Sequence, residues 1–173
     1  MSNPSWRGQL RQELTSPKSS ERPLRVAIVG IGNELRGDDA AGVLVARELS
    51  QRMTKKVERA PFLIIESGPS PESCTGTLRR FAPDRVLLVD AAHMRETPGT
   101  VRYFASQDAL GLSATTHALP LSVLAQYLAA EMGCRVALLG IQPAADSFLA
   151  ELTLPVKDSV SLIVQFLAGL LSD

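Results

Sequence analysis

The chain has 173 residues, 45% of them hydrophobic, with Lys plus Arg and Asp plus Glu balanced at 18 each. That length supports one well-buried core and is short for two, so a single domain is expected. The balanced charge creates no global field toward nucleic acid or an anionic membrane, and no apolar run reaches the ~20 residues of a membrane helix.

Residues 1–24 are polar, with Pro4, Pro17, Pro23 and the run SPKSSERP. They read as a flexible N-terminal extension holding a short helix around Trp6 to Leu14, ahead of one domain over 25–173. A lone tryptophan in a polar tail packs back onto its own domain more often than it waits for a partner. The same end lacks the apolar core of a secretory signal. Cys74 and Cys134 are the only cysteines and stand in no C-x-x-C spacing, which suits buried free thiols in a reducing compartment. A cytoplasmic protein is the expectation.

Val26 to Ile31 is an apolar, β-branched run bounded by glycine, the pattern of a strand buried on both faces. The glycine-rich turn that follows leads to Asp38-Asp39 and a helical stripe of Ala41, Leu44, Val45, Leu49 and Met53. FLIIE, 62–66, is a second strand. Ser70-Pro71-Glu72 then resembles a helix start with serine as cap, and the helix runs to about Phe81. RVLLVD, 85–90, is a third strand ending on Asp90. Pro98-Gly99 makes a turn into TVRYF, whose alternation suits an antiparallel edge strand. A helix from about Leu119 carries Leu121, Leu124, Ala125, Leu128 and Met132 on one face, and Gly133 stops it. RVALLGI, 135–141, is the last clear strand. A final helix from about Pro155 places Val156, Val160, Ile163, Val164 and Leu167 at helical spacing. Strands alternating with helices give an α/β domain of three layers, α/β/α, around a mostly parallel twisted sheet with one antiparallel edge strand.

Open α/β sheets place ligands beyond the carboxyl ends of their strands. Asp38-Asp39 follows the first strand, Asp90 closes the third, and His117 precedes the amphipathic helix. Two carboxylates and an imidazole form an O, O, N set suited to a borderline divalent ion such as nickel or zinc. Each has a plainer explanation. Asp38 is favoured as the helix cap over a ligand. Asp39 suits the helix dipole as well as it suits a metal. Asp90 leans toward function, because a carboxylate ending an apolar strand is costly to bury. On spacing alone, His117 is better taken as a core histidine.

GIGNELRGDDAAG, LLVDAAHMRETPGTVR, TTHALPL and LLGIQP, in this order and spacing, resemble the maturation endopeptidases of nickel-iron hydrogenases. The similarity is greatest to the type that processes the formate-hydrogenlyase hydrogenase, and it spans Val26 to the C-terminus. The resemblance implies a phosphorylase/hydrolase-like fold. It also implies an endopeptidase that removes a C-terminal peptide from the nickel-loaded precursor of the hydrogenase large subunit. The metal contacts it implies are Asp39, Asp90 and His117, also the catalytic set. Nickel would come with the precursor, and zinc or cadmium could stand in for it. His93 occupies a place the family more often fills with aspartate, and is read as an exposed loop histidine before a fourth ligand. GPSPES, 68–73, also departs from the family's usual wording.

Three rivals stay open on the residues. A dinucleotide-binding domain fits Gly30, Gly32 and Glu66, but Leu35 stands where the third glycine belongs and an acidic pair opens the helix. A non-enzymatic nickel checkpoint would use the same ligands. A cysteine peptidase would need a histidine beside Cys74 or Cys134.

Overall fold

A strand that is apolar at every position buries both faces only if helices cover both, and the computed structural model shows that arrangement around β1 (Val26–Ile31), buried at every residue. The structure describes residues 5–15, 22–53, 62–105, 113–114 and 120–172. In chain order the other elements are α1 (Trp6–Thr15), α2 (Ala41–Met53), β2 (Phe62–Gly68), α3 (Thr75–Phe81), β3 (Arg85–His93), β4 (Val101–Ala105), β5 (Ser113–Ala114), α4 (Leu121–Met132), β6 (Arg135–Ile141) and α5 (Leu154–Leu170). Short 3-10 turns, Gly37–Ala40 and Pro71–Cys74, lead into α2 and α3.

The main strand order is β2-β1-β3-β6-β4. The first four are parallel, and β4 runs antiparallel on β6, as the alternation of TVRYF leads one to expect. The two-residue β5 pairs antiparallel with the end of β3, at Ala92 and His93, an addition that no sequence pattern marked. Alternate side chains sort into two cores. Val26, Ile28, Leu87, Val89 and Leu139 pack with α1, α2 and α5, whereas Ala27, Val29, Val86, Leu88 and Leu138 pack with α3 and α4. The three layers follow from that period of two.

Starting from β1, the chain crosses through α2 on one face to β2, then returns through α3 on the other face to β3, on the far side of β1. The strand order therefore reverses between β1 and β3, and the carboxyl ends of those two strands are where open α/β sheets place their ligand crevice.

Three local expectations differ from the structure. β3 continues three residues past Asp90, because Asp90 pairs in register with Gly140 of β6 and the ladder does not stop there. Ser70 holds the N-terminal position of its turn without a side-chain cap bond. Asp38 caps no helix, since its carboxylate is turned to the 144–153 segment.

The short helix expected near the N-terminus is present as α1, and it is seated on the sheet. Leu10 and Leu14 are buried in the first core, and the Trp6 ring meets Phe166 of α5 edge-on with centroids 5.3 Å apart. Glu13, 8% exposed, anchors the helix through Arg85 at 3.2 Å and Arg135 at 2.9 Å. The Tyr103 hydroxyl also donates to Glu13, and burial with that neighbouring carboxylate pushes the phenol up to about 12.

Candidate functional site

The acidic turn is built by close backbone approach. Gly32 has φ +138°, and a Cβ there would lie 1.7 Å from the carbonyl oxygen of Asp39. Only glycine lets the chain leave β1, turn, and bring Asp39 back over the strand's end. Gly42, in the first turn of α2, lies against β1 and β3 together: its Cβ would fall 2.3 Å from the Ile31 oxygen and 2.1 Å from the Val89 oxygen. These contacts set the start of α2 on the crevice between the two strands.

Asp39 and Asp90 are consequently drawn to one rim. Both are 0% exposed. Asp39 lies in the Gly37–Ala40 turn, which packs against β3, and Asp90 follows Val89, the residue that Gly42 touches. The Asn33 N–H donates to Asp39 Oδ2 at 3.1 Å, while the Asn33 side chain accepts from the Leu35 N–H at 3.0 Å and fixes the turn. His117, the third expected member, lies outside the described residues. Among the described residues no group of three His, Cys, Asp or Glu side chains could hold a metal ion.

His93 is the last residue of β3, with its side chain 47% exposed and Nε2 3.5 Å from Asp146. The exposure is as expected, but the residue stands in the strand, paired with Ser113 of β5, and not in a loop. Two supporting residues were missed. Gln142, 7% exposed just past β6, accepts the N–H groups of Met94 and Glu96 at 2.7 and 3.2 Å and so holds the segment leaving β3. Ser67 donates its hydroxyl to the Gly30 carbonyl at 3.0 Å, closing β2 onto β1 at the same rim. A polar residue directly after an apolar strand is the one signal that could have marked Gln142.

The geometry weighs against two of the rivals. Glu66, the acid a ribose would need, is engaged by Arg47 at 2.8 Å, and Arg47 also pairs with Glu34. The two thiols are buried, and desolvation raises both above their ordinary range, Cys74 to about 11. A cysteine nucleophile needs the opposite shift.

The family profile described as hydrogenase maturation protease matches residues 43–169. The hydrogenase 3 maturation protease of Escherichia coli K12 is 34% identical over 140 residues, which span 80% of this chain and 86% of that protein. Among solved structures, the NiFe hydrogenase maturation protease HycI of Thermococcus kodakarensis superposes with a TM-score of 0.81 at 32% identity, covering 95% of this chain and 99% of that one. The solution structure of the endopeptidase HycI of Escherichia coli gives 0.70 at 31% identity, over 84% of this chain and 90% of that one. Among the described residues no helix is long and apolar enough to cross a membrane.

Proposed function

The chain belongs to the hydrogenase maturation protease family, and on that premise we propose that it removes a C-terminal peptide from the nickel-loaded precursor of a nickel-iron hydrogenase large subunit. Asp39 and Asp90 would bind the nickel carried by the precursor, with His117 as the third ligand. The observation that carries this reading is the pair of wholly buried carboxylates delivered by packed elements to the crevice where the strand order reverses. In so dry a place their attraction for a divalent ion is far stronger than at a wet surface.

The nickel belongs to the substrate, and bound beside the scissile bond it would supply Lewis acidity toward a carbonyl or a water. The chain's own part is geometric and acid–base. Asp39, oriented by the Asn33 N–H, and Asp90, held in the β3 ladder, fix where the peptide lies. A carboxylate next to the attacking water can take its proton. A thiol route has no support, since both thiols are held neutral by burial.

The test is mass spectrometry of a nickel-loaded precursor incubated with the protein. Wild type should shorten it by one C-terminal peptide, and Asp39→Ala, Asp90→Ala and His117→Ala should leave its mass unchanged while keeping a folded circular dichroism spectrum. Full trimming by the triple variant would refute the assignment. Precursor bound by wild type without any change in mass would favour a nickel checkpoint.

A further inference from the structure

Two segments meet over the acidic turn: 33–37, after β1, and 144–153, after β6. One carboxylate joins them. Asp38 Oδ2 accepts the Ala144 and Ala145 N–H groups at 2.7 and 3.0 Å and the Thr153 hydroxyl at 2.9 Å, while Oδ1 accepts the Thr153 N–H at 2.7 Å. The Asp38 N–H donates back to the Ala145 carbonyl at 2.9 Å, and farther out the Leu149 N–H donates to the Leu35 carbonyl at 2.7 Å. Asp38 is 0% exposed, so these bonds form away from water, where charge-assisted hydrogen bonds are strongest. Thr153 stands at the N-terminal cap of α5, yet its side chain makes no cap bond and serves Asp38 instead.

The joined segments present Leu35, Phe148 and Leu149 to solvent, at 54%, 66% and 70% exposure. Leu149 is also one of three non-glycine residues at positive φ among the described residues, at +60°. A leucine held in left-handed backbone with its side chain outward gains no burial in its own fold, and backbone strain of this kind collects where a surface meets a ligand.

We propose that Asp38 is a positioning residue that holds Leu35, Phe148 and Leu149 as an apolar lip of the cleavage site, and that the lip receives an apolar stretch of the precursor beside the scissile bond. This rests on the function proposed above and names the contact that recognises the precursor. The occupant follows from continuity. The Asn33 N–H donates to Asp39 while the Asn33 side chain accepts from the Leu35 N–H, and Leu35 in turn accepts from the Leu149 N–H, so the lip borders the residue proposed to meet the precursor's nickel and a chain bound there lies against it. An apolar contact made equally in the bound precursor and in the transition state sets affinity and KM and leaves kcat nearly unchanged.

The experiment measures precursor affinity by calorimetry and trimming kinetics by mass, for full-length wild type, Phe148→Ser, Asp38→Asn and the double variant. Asparagine keeps the shape of Asp38 but sets an N–H group among donors and cannot accept all four bonds. Phe148→Ser should weaken precursor binding about tenfold and raise KM to match, with kcat within about twofold of wild type and an unchanged melting temperature. Asp38→Asn should weaken binding to a similar degree, and the double variant should bind no worse than Asp38→Asn alone, because the lip is already displaced. A merely structural Asp38 would give losses that multiply. Wild-type affinity in Phe148→Ser, or multiplicative losses in the double variant, would overturn the proposal. If wild type binds the precursor without shortening it, the peptidase assignment fails while the affinities still decide the lip; if it does not bind at all, both fall.

Discussion

Replacing Gly42 by alanine sets a local rule against a tertiary one, with opposite signs. Gly42 lies in the first turn of α2, and on helix propensity alone alanine should stabilise that helix by up to about 1 kcal/mol. The added methyl, however, would stand 2.1 Å from the Val89 oxygen and 2.3 Å from the Ile31 oxygen. Both are backbone atoms of paired central strands and cannot swing aside as a flexible side chain would. Restoring ordinary contact requires the start of α2 to withdraw by roughly 1 Å, and overpacking of this kind costs about 1–3 kcal/mol or more. A net loss of about 2 kcal/mol is expected, equivalent to roughly 4–8 °C in Tm for a chain of this size. Trimming of the precursor should fall more steeply than stability, since the displaced turn carries Asp39. Gly169→Ala in α5 is the control: a Cβ there meets nothing within 4 Å, so the same exchange should stabilise by about 0.5–1 kcal/mol. Thermal melts of the two variants give the comparison. A Gly42→Ala protein as stable as wild type would refute the close-approach reasoning.

Two further outcomes follow from the buried groups. Glu13→Ala removes the carboxylate facing Arg85, itself only 7% exposed, so the variant should lose about 3 kcal/mol in urea titration and free α1, shifting the fluorescence of the single tryptophan, Trp6; a loss under about 1 kcal/mol would contradict the anchoring role. Burial raises the Cys74 thiol from 9.0 to about 11, so the folded state favours the protonated form. The stability this contributes is intact below about pH 9, where the unfolded thiol titrates, and is lost as pH rises through about 11. Cys74→Ala should therefore flatten the alkaline limb of the stability profile, and native protein at pH 8 should resist iodoacetamide until it unfolds. Rapid alkylation of Cys74 in the native state would contradict both.

The sequence by itself determined the layers and most of the elements. Hydrophobic spacing is local information: a period of two placed β4 at an antiparallel edge, an unbroken apolar run marked β1 as central, and helical stripes gave the buried faces of α2, α4 and α5. Motif order gave the family, which the similarity over 80% of the chain to a hydrogenase 3 maturation protease bears out. The tertiary structure alone decided what Asp38 does. Asp38 looks like a helix cap because caps are local, but its four acceptor contacts come from residues more than a hundred positions away, and no periodicity encodes a partner at that separation. The same holds for the pairing of Asp90 with Gly140, which carries β3 past its apolar run, and for the anchoring of α1, a helix the sequence shows but whose partners Arg85 and Arg135 it does not. Buried polar groups are satisfied by whichever chain segment the fold brings alongside them, so their roles become visible only once that segment is in place.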